Sequence, residues 1–251
     1  MTLCPCTKAS YYRPFAEALS AHVTVATADL RGHGHSSLRP SRKVDFGYKE
    51  MILEDLHNGL LAIQQAQPGK KIYLLGHSLG GQMGSLYASR HPGVLEGLVL
   101  VACCSVYYKG WQGLEGIKTL AGTQFAGVIA SVLGYFPGKK VGFGGLEAMR
   151  MIQDWSRQSR TGDYILRNDP FNYEQALAKS RSRVLALSFQ QDTWAPEKAV
   201  ANLVNKFQSS PDVTHIHMQD DDPRNNNFNH FNWIKNPGEL VPLIVEWINR
   251  D

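Results

Sequence analysis

Eight consecutive residues, Leu74-Leu75-Gly76-His77-Ser78-Leu79-Gly80-Gly81, constrain this chain more than any other stretch. A short apolar run leads into a serine framed by glycines. A helical pattern rich in small residues follows, from Leu79 to Arg90, and His91-Pro92-Gly93 stops it. A chain passes from strand to helix this abruptly only through a sharp turn that leaves the serine hydroxyl exposed at the strand end, and the turn needs glycine where backbones approach. A serine can also simply cap a helix, and Gly-x-Ser-x-Gly recurs in glycine-rich chains. Here the strand before and the helix after favour a nucleophile elbow. A hydroxyl is a poor nucleophile unless a base and an oxyanion hole accompany it, so those partners must be sought elsewhere.

The surrounding pattern sets the fold class. Strands are expected at Thr2 to Cys6, His22 to Ala28, Lys71 to Leu75, Leu95 to Cys103, Arg183 to Phe189 and Val213 to Met218. Helical stripes are expected at Tyr12 to Leu19, Tyr48 to Gln67, Leu79 to Arg90, Pro196 to Phe207 and Glu239 to Asn249. Strands alternating with helices argue for an α/β protein with a mostly parallel, doubly wound sheet, whose sites lie at the carboxyl ends of strands. Residues 105–182 break the rhythm. A structureless loop of that length is improbable, and its aromatic and aliphatic content suggests a largely helical cap inserted over the strand ends. The expected organisation is a core of 1–104 and 183–251 with a cap of 105–182.

The base should be a histidine beyond the serine. Of nine histidines, His230 is favoured because it lies on a loop between the last strand and the last helix, where a general base can reach the serine. His33 and His35 precede the serine, His57 lies mid-helix, and His215 and His217 lie in a strand. The acid should precede His230. Asp192 follows the strand Val184 to Phe189 and is preferred over Asp220, Asp221 and Asp222, which read as a solvated turn. A buried acid that holds one imidazole tautomer should be a single, well-placed residue.

Composition excludes other classes. Lys plus Arg total 26 against 22 acids, a net charge of +4, which gives little support for nucleic-acid binding. Four cysteines, at 4, 6, 103 and 104, have neither disulfide-framework nor zinc spacing. No basic region followed by a long apolar segment opens the chain, and the most apolar later stretch, Phe125 to Phe136, is too short to span a bilayer. A soluble cytoplasmic protein is expected.

These residues carry a resemblance. The order Ser78, Asp192, His230 is that of the α/β-hydrolases, Asp29-Leu30-Arg31-Gly32-His33-Gly34-His35-Ser36 resembles their loop after the fourth strand, and Gln191-Asp192-Thr193-Trp194-Ala195-Pro196 resembles their acid segment. The resemblance covers residues 3–250. Tyr12-Arg13-Pro14-Phe15-Ala16, Gly134 to Lys139 and the aromatic residues after His230 resemble a subgroup of serine-aminopeptidase-like and monoglyceride-lipase-like hydrolases. It implies an α/β-hydrolase fold, here lacking the usual first strands. The N-terminal edge could then pair with a second copy of the chain. It also implies an oxyanion hole of Leu79 N–H and a donor near Cys6 or Thr7, with Thr7 preferred.

The chemistry expected is hydrolysis of a small apolar acyl ester, with no metal or organic cofactor. His77, Trp111, Phe125, Phe136 and Trp155 are the expected pocket residues. Acyl transfer, cleavage of small peptides and a non-catalytic member remain alternatives. Membrane contact is not expected, because the face of the helix around Phe125 to Leu133 lacks basic partners.

Overall fold

The computed structural model describes residues 2–3, 8–142, 144–224 and 227–250. Its centre is a parallel sheet of β1 (Thr2–Leu3), β2 (Tyr73–His77), β3 (Gly97–Val101), β6 (Arg183–Phe189) and β7 (Val213–Met218), in the order β1-β2-β3-β6-β7. Leu75 pairs with Val99 and Val99 with Leu185, so the strands stay in register across the middle of the sheet. The apolar runs of β3 and β6 are what a sheet covered on both faces requires.

The two-residue side-chain period divides the core. Leu74, Leu98, Leu100, Val184 and Ala186 face one side. There they meet the continuous helical segment α2 (Tyr48–Glu50), a π-helical stretch (Met51–Leu56) and α3 (His57–Ala66), together with α4 (Leu79–Arg90) and α8 (Glu197–Val204). Leu75, Val99, Val101, Leu185 and Leu187 face the other side, against α1 (Arg13–Ser20) and α9 (Leu240–Ile248). This double winding holds the carboxyl ends of β2, β6 and β7 together at one edge of the sheet.

Between β3 and β6 lie α5 (Gly113–Leu133), β4 (Tyr135–Phe136), β5 (Glu147–Ala148), α6 (Met149–Thr161) and α7 (Tyr173–Lys179). The short strands β4 and β5 pair antiparallel. α5 and α6 pack along one another, while α7 packs against α4. Gly127 permits the close approach of α5 to α6, since a Cβ there would sit 3.0 Å from Ser156 Oγ. Thr123 Oγ1 meets Ser159 Oγ at 2.9 Å, and Gln124 Nε2 donates to the Ser156 carbonyl at 2.8 Å.

Three expectations change. Of the strand expected at His22 to Ala28, the structure shows, among the described residues, a single bridge residue, Thr27. The strand expected to end at Leu75 runs on to His77 and delivers its end directly to Ser78. The apolar stretch read as Phe125 to Phe136 divides: its part up to Leu133 belongs to the 21-residue α5, long and apolar enough to cross a membrane by length and composition, and Tyr135 and Phe136 form β4. Its glycines weaken the helical signal in sequence, and one of them, Gly127, serves the packing against α6.

Candidate active site

Ser78 sits between the last residue of β2 and the first of α4, with φ 52° and ψ −127°. A non-glycine residue at positive φ is strained and persists only where its surroundings hold it. Here the Ser78 N–H donates to the Val101 carbonyl at 3.1 Å, and its own carbonyl accepts from Gly81 N–H at 3.0 Å. The turn is tight enough that a Cβ on Gly76 would lie 2.3 Å from Gly81 Cα. Leu79 opens α4, so its N–H has no intrahelical acceptor and lies beside the serine.

His230 stands on the loop after β7. Its Nε2 is 3.0 Å from Ser78 Oγ, and its Nδ1 is 2.9 Å from Asp192 Oδ2 and 3.1 Å from Oδ1. A carboxylate only accepts, so Nδ1 carries the ring proton and Nε2 is left to accept from the serine hydroxyl. Asp192 is buried at the end of β6, and its Oδ1 also takes the N–H groups of Trp194 and Ala195, each at 2.9 Å. Of the rival acids, Asp222 is bound to Arg224 in an exposed turn.

Residues that pattern reading passed over hold this arrangement. Asn229 Oδ1 accepts from the N–H groups of Phe231 and Asn232, and Asn232 Oδ1 accepts from Asn229 N–H at 2.7 Å, bracing the chain on both sides of His230. Their signal was the pair of asparagines at a three-residue spacing, a pattern suited to side-chain-to-backbone turns. His77 is fully buried. Its Nε2 donates to the His230 carbonyl at 2.7 Å, so its Nδ1 accepts from the Tyr12 hydroxyl at 2.8 Å. That contact ties α1 and the elbow to the histidine loop.

A cavity of about 550 Å³ opens from Ser78 beneath the cap. His77, Trp111 and Trp155 line it as expected, joined by Trp194, Phe231 and Met151. Trp194 stacks on His230 with ring centroids 5.8 Å apart. Trp111 is fixed by Nε1 donating to the Thr193 carbonyl at 3.1 Å. Cys104 also lines the cavity, and burial pushes its thiol up, so it stays protonated. Two expected pocket residues are not there. Phe125 lies 66% exposed on the outer side of α5, because its helical face is opposite the one packed on α6. Phe136 is buried in the core beside the β4–β5 pair and does not line the cavity.

Thr7 lies outside the described residues. Just beyond it, Ala9 N–H donates to Asp29 Oδ1 at 2.6 Å, and Asp29 Oδ2 accepts from His35 N–H at 2.8 Å. The loop of Asp29 to Ser36 is therefore a structural turn beside the N-terminal segment. Arg31 anchors it through ion pairs to Asp55 and Glu54.

A parallel sheet with a serine on a strand-to-helix turn after β2, an aspartate after β6 and a histidine after β7 defines a class of fold and site. The chain belongs to the α/β-hydrolase fold family, whose sequence model matches residues 5–223. It is 25% identical over 252 residues to RutD of Pantoea ananatis, named as a candidate carbamate hydrolase, covering 96% of this chain and 84% of that one. A pimeloyl-[acyl-carrier protein] methyl ester esterase of Aliivibrio fischeri is 38% identical over 112 residues, 44% of this chain and 37% of the esterase. The crystal structure of a monoacylglycerol lipase from Paleococcus ferrophilus shares the fold, with a TM-score of 0.64 at 16% identity, over 99% of this chain and 91% of the lipase.

Proposed function

We propose that the protein is a serine hydrolase of carboxylic esters that works through an acyl-enzyme. The observation that carries this reading is the contact of 3.0 Å between Ser78 Oγ and an imidazole whose far nitrogen is held by a buried carboxylate. His230 takes the hydroxyl proton as Ser78 Oγ attacks the ester carbonyl. Leu79 N–H, with Thr7 as the second donor assigned from sequence, receives the charge developing on the carbonyl oxygen. The tetrahedral intermediate collapses, His230 returns the proton to the departing alcohol, and the acyl group remains on Ser78. Water then attacks with His230 as base, and the acid leaves. Asp192 keeps the ring in the tautomer this needs and stabilises the imidazolium.

The relatives named above are called hydrolases of a carbamate, a methyl ester and a monoacylglycerol, all compounds with an attackable carbonyl. The tryptophan- and methionine-lined cavity favours an apolar acyl group. The test is covalent labelling by a fluorophosphonate probe. The intact chain is expected to label stoichiometrically, while Ser78→Ala does not label and His230→Ala labels at a small fraction of the rate. A folded intact chain that fails to label overturns the mechanism. A series of p-nitrophenyl esters of increasing acyl length then sets the preferred substrate.

A further inference from the structure

The outer face of α5 is an apolar stripe. Leu114, Ile117, Ala121, Phe125, Val128 and Val132 recur at spacings of three and four, so they line one side of the helix. All six are exposed, the five larger ones between 59% at Val128 and 72% at Val132. The stripe spans 18 residue steps, about 27 Å of helix, and carries no charged residue. The opposite face, Gly116, Thr123, Ala126, Gly127 and Ala130, is buried, and hydrogen bonds from Thr123 and Gln124 tie it to α6. α5 is therefore long enough to cross a bilayer but is held to the body of the protein along one side. It can meet a lipid phase only by lying flat on it.

Cations gather at one end of the stripe. Arg42 Nε donates to the Leu133 carbonyl at 3.0 Å, which places Arg42 and its neighbour Lys43 at the C-terminal end of α5. Lys139 and Lys140 lie in the turn that follows β4, beside exposed Val141. Residues 37–44 and 134–146 contain no acid. The flanking acids are already committed: Asp45 pairs with Arg150, and Glu147 is buried and accepts from Gly145 N–H. Among the described residues, no carboxylate pairs with Arg42, Lys43, Lys139 or Lys140. The basic residues missing from the stripe are supplied by two other segments folded against the end of the helix.

We infer that this face of the cap docks on an anionic lipid surface, with the α5 stripe set among the acyl chains and the Arg42, Lys43, Lys139 and Lys140 cluster on the headgroup phosphates. An exposed aliphatic helix face bordered by cations is what an interfacial helix presents. A protein partner would have to desolvate four cations or bring acids to meet them. The neighbouring face of α5, with Lys118, Thr119 and Gly122, lines the cavity over Ser78, and so does Gly142, next to Val141. The docked surface thus borders the wall of the cavity. The proposal concerns binding alone and does not depend on the chemistry at Ser78.

Flotation of the intact chain with vesicles tests it, using phosphatidylcholine alone and phosphatidylcholine with about a third phosphatidylglycerol. Binding is expected to the anionic vesicles and to weaken as salt is raised. At about fivefold per cation, the triple variant Arg42→Ser, Lys139→Ser and Lys140→Ser should lower the partition coefficient by about a hundredfold at low salt. Val128→Asp with Val132→Asp should abolish binding, and Lys70→Ser, in the turn after α3, should leave it near wild type. Absence of binding to anionic vesicles overturns the proposal. So does equal weakening by Lys70→Ser and by single cluster variants, which would reveal a non-specific charge effect. A solution dimer that Val128→Asp with Val132→Asp dissociates also overturns it, since a second copy would then cover the stripe.

Discussion

Replacing Asp192 by asparagine should disable Ser78 while leaving the fold intact, and the reason lies in how the two carboxylate oxygens are used. Oδ1 accepts two backbone N–H groups, from Trp194 and Ala195 at 2.9 Å each, and Oδ2 faces His230 Nδ1 at 2.9 Å. A carboxamide has one acceptor oxygen and one donor nitrogen. Turning the nitrogen toward the two backbone donors would strand both of them, at about 1–3 kcal/mol for each buried group. The oxygen therefore stays on Trp194 and Ala195, and the amide nitrogen faces His230. His230 Nδ1 must then accept, the ring proton moves to Nε2, and Nε2 can no longer take the proton of Ser78. Even the low end, about 2 kcal/mol, leaves only about one molecule in thirty with the useful tautomer. Loss of the charge that stabilises the imidazolium adds to this. A triad forced into the wrong tautomer loses about ten-thousandfold, about 5.5 kcal/mol of barrier. The assay is the rate constant for fluorophosphonate labelling of Asp192→Asn against wild type, with imidazole ¹⁵N shifts reporting the tautomer and a thermal melt reporting the fold. Labelling within tenfold of wild type, or a proton still on Nδ1, would refute the reasoning.

Two further outcomes follow from packing and burial. Gly76→Ala sets a Cβ 2.3 Å from Gly81 Cα and 2.5 Å from Gly81 N, both backbone atoms that cannot rotate away. Overpacking of this kind costs about 3 kcal/mol, which for a chain of this size lowers Tm by about 6–12 °C; a melt within two or three degrees of wild type, about 1 kcal/mol, would show that the elbow yields more easily than its geometry implies. Asp154 is the pH-sensitive group: burial raises its carboxyl from 3.8 to about 6, outweighing the Tyr48 N–H that it accepts. The native state therefore holds this proton more tightly than the unfolded chain. The contribution of Asp154 to stability should fall as pH rises from about 4 to about 6, by roughly 3 kcal/mol, and stay flat above that window. Asp154→Asn lacks the effect and still offers an acceptor to Tyr48 N–H, so its advantage in urea denaturation should grow across the window; an advantage that does not change with pH would assign the burial penalty elsewhere.

What could be read from the chain was local. The apolar runs that became β3 and β6, the helix Leu79 to Arg90 and the serine between glycines all depend on neighbours a few residues away, where steric and hydrophobic periodicities act directly. The α/β-hydrolase fold and the elbow at Ser78 were legible for that reason. Asp192 could be preferred over Asp220 to Asp222 only by its setting. The carboxylate's contacts with His230, Trp194 and Ala195 join residues that meet only when β6 and the loop after β7 are folded side by side. The segment His22 to Ala28 alternates as a strand should, yet pairing is a property of two strands, and it formed a single bridge. Phe125 and Phe136 are both large and apolar, and composition cannot tell which side of a helix or which side of a sheet will face a cavity. The same limit hid the charge at the end of α5. Its outer stripe is apolar, and the cations at its end come from residues 42–43 and 139–140, nearly a hundred positions apart. Sequence alone determined which segments are strands, helices and a sharp serine turn, because those choices are made by each residue and its near neighbours. Only the tertiary structure decided which side chains share the site and the cap surface, because those contacts depend on distances that the order of residues does not contain.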